Sequence, residues 1–191
     1  MSVSLSKGGN VSLTKEVPGL ARIAVALGWE ERTTSGAPFD LDASALILNA
    51  NGKVLGDDYF VFYGNLQSPD SSVQHTGDDL VGSGDDSEII NVNLNALRAE
   101  VDRIVFAVSI YDAEDRKQNF GQVANAYIRV LNLATQVEMA RYDLVEDASN
   151  EIAMVFGELY RNNDEWKFRA VGQGYNTGLR GIALEFGVNI Q

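Results

Sequence analysis

About ten short apolar runs recur along this chain, nearly all bounded by glycine, proline, asparagine or aspartate, and that pattern restricts the fold more than any other feature. Leu20–Trp29, which carries β-branched residues, the apolar run Asp40–Asn49 and Ile104–Tyr111 read as buried strands. Ile89–Leu94, Val123–Asn132, Glu138–Leu144 and Ile152–Arg161 read as further strands, and the aromatic run Tyr59–Tyr63 as another. Glu165–Val171 alternates, with Trp166, Phe168 and Ala170 on one face and Lys167 and Arg169 on the other. Val3–Leu13 predicts two short strands about a turn at Gly8-Gly9, and Asn51-Gly52 supplies a hairpin turn. Helical periodicity is scarce: two turns are expected over Asn95–Arg103 and a short helix over Leu179–Phe186. Glu30–Pro38, Asn65–Thr76 and Asp112–Phe120 read as polar loops. Many short strands with turn chemistry between them specify an all-β fold, a two-sheet β-sandwich with short peripheral helices. No linker or internal repeat divides residues 1–191, so one domain is expected.

Charge narrows the function. Fifteen basic against 27 acidic residues give a net charge of −12. That disfavours nucleic acid and docking on anionic lipid, both of which need basic surfaces. Cysteine is absent, which excludes disulfides, zinc-thiolate sites, iron–sulfur clusters and cysteine nucleophiles. The N-terminus has no basic segment followed by an apolar one, and no stretch is apolar for the ~18 residues of a membrane span. A cytoplasmic protein without membrane insertion is the expectation.

Chemistry concentrates in Gly77–Glu88, which reads GDDLVGSGDDSE. Asp78, Asp79, Asp85, Asp86 and Glu88 lie there without a compensating Lys or Arg, and their mutual repulsion grows as they leave bulk water. Such a loop either splays in solvent or binds a cation. Asp40 and Asp42, spaced i, i+2 at the entrance to a strand, point to one side of the backbone and add two carboxylates. Ca²⁺ accepts six to eight oxygens at about 2.3–2.6 Å, backbone carbonyls among them, whereas Mg²⁺ demands stricter octahedral geometry. The EF-hand pattern fails: counted from Asp78 the third position is Leu80, and counted from Asp40 the sixth is Ala45. His75, the one histidine, reads as an exposed loop residue beside the acidic run rather than a catalytic base. Asp112, Glu114 and Asp115 follow a core strand and either reach the acidic site or face solvent beside Arg116 and Lys117. Asp143, Glu146, Asp147 and Glu151 form a second cluster, for which helix or turn capping by Asp147 or Ser149 is the simpler account. A metal-dependent hydrolase using the same acids as Lewis-acid ligands is the alternative to a binding protein.

Several motifs together resemble one family. Phe39-Asp40-Leu41-Asp42-Ala43-Ser44 is similar to the FDLDAS motif of the tellurium-resistance TerD family, and His75-Thr76-Gly77-Asp78-Asp79 to its HTGDN segment. Phe120–Val123 and Ala126–Arg129 fall where its SFGxV stretch lies, and FGELYR (156–161) and EWKFRAVGQGY (165–175) resemble its C-terminal motifs. The resemblance covers essentially the whole chain. It implies a non-enzymatic β-sandwich that binds one or two Ca²⁺ ions through acidic loops, acts in tellurite and general stress resistance, and works with other stress-resistance proteins. Asp40, Asp42, Asp78, Asp86 and Glu88 carry over as ligands, and Asp112 matches a family position. The full candidate metal set is Asp40, Leu41, Asp42, Asp78, Asp79, Ser83, Asp85, Asp86, Glu88 and Asp112. One departure stands out: the family loop reads GDN-x-x-G-x-GDGDDE, and this one is shorter by about one residue, with Asp79 for Asn and Ser87 for an Asp.

Overall fold

Alternation of side chains across each strand gives this chain two apolar faces to bury, and they bury each other. The computed structural model describes residues 2–31, 39–77, 86, 88–144 and 150–190. The strands are β1 (Val3–Ser4), β2 (Asn10–Ser12), β3 (Arg22–Glu31), β4 (Leu41–Leu48), β5 (Phe60–Val61), β6 (Val73–His75), β7 (Glu88–Asn93), β8 (Arg103–Ile110), β9 (Val123–Asn132), β10 (Val137–Asp143), β11 (Ala153–Asn162) and β12 (Glu165–Tyr175). The helices are α1 (Leu13–Glu16), α2 (Ala113–Arg116) and α3 (Gly178–Glu185). The strands form two six-stranded sheets, ordered β1-β10-β9-β3-β7-β6 and β2-β12-β11-β8-β4-β5. Between them lies the main core, in which Ile23, Val25 and Leu27 of β3 meet Ala45 and Ile47 of β4, Phe106 of β8, Phe156 of β11 and Phe168 of β12. The β-sandwich expected from the sequence is the observed fold.

The two outer faces differ. Leu46, Leu48, Val105, Ala107 and Val155 on the outside of the second sheet are covered by Ile182 and Ala183 of α3 and by Val188 beyond it. Among the described residues, the outside of the first sheet carries a small apolar patch around Ala24, Ala26 and Leu131. Among the described residues no helix is long and apolar enough to cross a membrane.

Two sequence expectations need correction and one gains detail. The two short strands expected about Gly8-Gly9 form, but they do not pair with each other. β1 runs parallel to β10 in one sheet and β2 antiparallel to β12 in the other, so the turn at Gly8, with φ +81°, carries the chain between layers. The segment expected to be helical over Asn95–Arg103 forms turns instead, with Leu97 and Val101 buried. Two helical turns are too few to nucleate alone, and anchoring in the core decides the conformation. The polar stretch Asn65–Thr76 contains β6, whose Val73 and His75 face inward. By contrast, Trp166, Phe168 and Ala170 share the buried face of β12 as their spacing requires.

Candidate functional site

β4 enters the second sheet at Leu41, and its register fixes the surrounding acids. Leu41 pairs with Ile110 and Asp42 with Ser109, while the Tyr111 N–H donates to the Asp40 carbonyl at 2.8 Å. Asp40 and Asp112 therefore lie at the same end of two adjacent strands, both exposed, with Asp42 half-buried beside them. Asp112 adopts a left-handed conformation, φ +50°, as the chain leaves β8 for α2, a backbone state uncommon for a residue with a side chain. The Leu41 side chain is buried in the main core, so only its carbonyl is available as a ligand.

Glu88 opens β7 with its side chain directed inward, and it is 4% exposed. β5 covers β4 only at Ala45 and Leu46, which leaves the Ala43 N–H at an uncovered edge. That N–H donates to Glu88 Oε2. The same oxygen lies 3.3 Å from His75 Nε2. The Gly77 N–H donates to His75 Nδ1 at 2.9 Å, so Nδ1 acts as an acceptor and the ring proton is on Nε2, facing the carboxylate. His75 is thus not the exposed loop residue its neighbours suggested; it is 5% exposed and helps position Glu88. The V-Q-H alternation of Val73 and His75 was the available sign.

Asp86 is held differently. Arg129 donates to it as a fork, Nε to Oδ1 at 2.9 Å and Nη2 to Oδ2 at 2.6 Å, and the Tyr127 hydroxyl donates to Oδ1 at 3.0 Å. A bidentate guanidinium–carboxylate pair is among the stronger polar contacts available to a folded chain. Glu138 flanks the same guanidinium at 3.4 Å, and Arg141 stacks 3.9 Å from the Tyr127 ring centroid. Hydrogen bonding to Asp86 raises the Arg129 pKa further above its ordinary value. Burial, then the Asp86 carboxylate, pushes the Tyr127 phenol well above its ordinary range. Gly28 makes room for that phenol: a Cβ there would stand 2.3 Å from the ring's Cζ and hydroxyl oxygen. None of these supporting residues stood out in the sequence, because an arginine two places after a tyrosine on a strand has many ordinary uses.

Asp78, Asp79, Ser83 and Asp85 lie outside the described residues. Of the second acidic cluster, Glu146 and Asp147 also lie outside them, as does Ser149. Among the described residues, no group of three or more His, Cys, Asp or Glu side chains is placed to hold a metal ion. The described candidates therefore do not by themselves make a cation cage. The acidic rim is in two parts: Asp40, Asp42 and Asp112 lie at one end of adjacent strands of the second sheet, and Asp86 and the buried Glu88 lie at the start of β7 in the first.

The architecture is that of a two-sheet sandwich, and comparison with known proteins agrees with that fold. The TerD domain model matches residues 1–186. The tellurium resistance protein TerD of Serratia marcescens is 58% identical over 190 residues, 99% of each chain. General stress protein 16U of Bacillus subtilis (strain 168) is 48% identical over 192 residues, covering 100% of both. Among solved structures, the protein of unknown function SAV2460 superposes with a TM-score of 0.69 at 26% identity, over 86% of this chain and 95% of that one. The chain belongs to the TerD family of tellurium-resistance and stress-response proteins.

Proposed function

We propose that this chain is a non-enzymatic, calcium-binding stress-response protein of the cytoplasm, with a role in resistance to tellurite and other chemical stress. One observation carries the metal reading: the Glu88 carboxylate accepts from the Ala43 N–H. That bond ties the C-terminal end of the acidic run to the Asp40-Leu41-Asp42 segment, two stretches 45 residues apart that the sequence treats as one cluster. Asp40, Asp42 and the Leu41 carbonyl would hold the ion, with Asp78, Asp79, Ser83 and Asp85 completing six to eight oxygens for one or two ions, a count suited to Ca²⁺. Glu88, engaged by Ala43 and His75, and Asp86, engaged by Arg129, fix the end of the loop. Asp112 stands at the outer side of the rim. Two bound ions would bring the formal charge of −12 to roughly −8. An ordered loop then presents a surface to other stress-resistance proteins. The absence of cysteine argues against direct thiol capture of tellurite by this chain.

Thermal unfolding of the wild type in Ca²⁺, in Mg²⁺ and in excess chelator tests the proposal. Binding to the folded state stabilises it by about 2.7 kcal/mol at a hundredfold excess over Kd. The expected result is a higher midpoint in Ca²⁺ than in Mg²⁺ or chelator, and a much smaller calcium increment in Asp40→Asn. An unmoved wild-type midpoint overturns the calcium assignment.

A further inference from the structure

We propose that the depression on the uncovered face of the first sheet binds a small organic carboxylate that also carries a hydroxyl or amino group. It encloses about 250 Å³. This is below the ~300–1,000 Å³ of drug-sized sites and suited to a small metabolite. The register builds it. Arg22 of β3 pairs with Asn93 of β7, Ala24 pairs with Asn91, and Asn91 in turn pairs with Gln74 of β6. Long polar side chains from three strands thus surround the short Ala24, with Leu133 at one side. The site is at the end of β7 remote from Glu88, so it is separate from the acidic rim and independent of the calcium proposal.

Three features specify the ligand. Arg22 is exposed at the edge of the depression and has no ion-pair or hydrogen-bonding side chain partner among the described residues, although the chain carries 27 acids against 15 bases. Among the described residues, no carboxylate lines the depression. The guanidinium fork is matched to a carboxylate, which would take two parallel N–H bonds. Asn91 Oδ1 is inaccessible to solvent and has no hydrogen-bond partner among the described residues, a costly state that turning the amide toward a donor on the ligand would relieve. Ser71 accepts from Gln67 Nε2, which leaves its own hydroxyl proton to donate to a ligand oxygen. The long-range field of a −12 protein opposes anions, but it is screened over about 10 Å at 0.1 M salt, whereas Arg22 acts at contact.

The test is a titration of the full chain with L-malate, acetate and inorganic sulfate, reading by NMR the side-chain amides of Gln74, Asn91 and Asn93 and the Nε–H of Arg22. L-malate is expected to shift all four, with acetate weaker and sulfate weaker still. Arg22→Gln, whose fold is checked by its unfolding midpoint, is expected to weaken L-malate about tenfold or more. If none of the probes shifts these signals, or if Arg22→Gln binds L-malate as well as the wild type, the site assignment fails. If sulfate binds as tightly as L-malate, the carboxylate class is wrong.

Discussion

Asp86 illustrates how a carboxylate in an acidic run acquires a fixed place. Arg129 grips both of its oxygens and Tyr127 a further lone pair, while Gly28 leaves space for the tyrosine ring. Both members of the ion pair are more than three-quarters buried, so its removal is felt. Arg129→Gln is expected to lower stability by about 1–2 kcal/mol, measured by denaturant unfolding. It should also reduce calcium affinity if the pair positions the loop, and a variant with unchanged calcium affinity would show that the pair serves stability alone. Asp70 gives a second test. Burial raises its pKa, but hydrogen bonds from the Ser72 hydroxyl and N–H and from Ser68 and Tyr59 outweigh that and hold it below the ordinary 3.8. A depressed carboxyl stabilises the fold above its unfolded pKa, and the stabilisation is lost as pH falls through the folded value. Asp70→Asn should therefore be less stable than the wild type at neutral pH, with the difference disappearing in acid.

At the scale of elements, the consequential feature is the partly uncovered edge of β4. β5 is two residues long, and beyond it the Ala43 N–H is satisfied by a side chain from the opposite sheet. Glu88 thereby joins β7 to β4 across the sandwich, with the His75 ring of β6 packed against it. Removal of the carboxylate strands buried donors, each costing about 1–3 kcal/mol. Glu88→Ala should lose roughly 2–4 kcal/mol, more than Glu88→Gln, which retains an acceptor. Hydrogen exchange at the Ala43 amide should quicken most in the alanine variant; unchanged protection there would mean the bond does not hold the edge. A comparable pairing secures the second sheet, where Glu158 of β11 accepts from Arg169 of β12 and lies 3.8 Å from Arg103 of β8.

For the molecule as a whole, the asymmetry between its outer faces matters most. α3 closes the second sheet, whereas the first sheet presents arginines, amides and acids to solvent. The acidic rim and the Arg22 depression lie toward opposite ends of β7, so a cation and a small anion would occupy separate places on one protein. In an acidic chain this arrangement would disperse charge: a bound cation would lessen repulsion among the acids, and an anion would meet an arginine that has no carboxylate beside it among the described residues.

The sequence by itself determined the strands and the sandwich, because alternation over β7, β10 and β12 and turn residues between runs are local properties. It also determined the family, through motifs that span the chain. Tertiary structure decided what no local pattern encodes. It separated β1 and β2 into different sheets, replaced the helix expected at Asn95–Arg103 with core-anchored turns, and buried His75. It matched Asp86 with Arg129, 43 residues away, and Glu88 with Ala43, 45 residues away. A carboxylate's partner depends on which strands become neighbours, and that follows from the burial of the whole core rather than from the residues on either side.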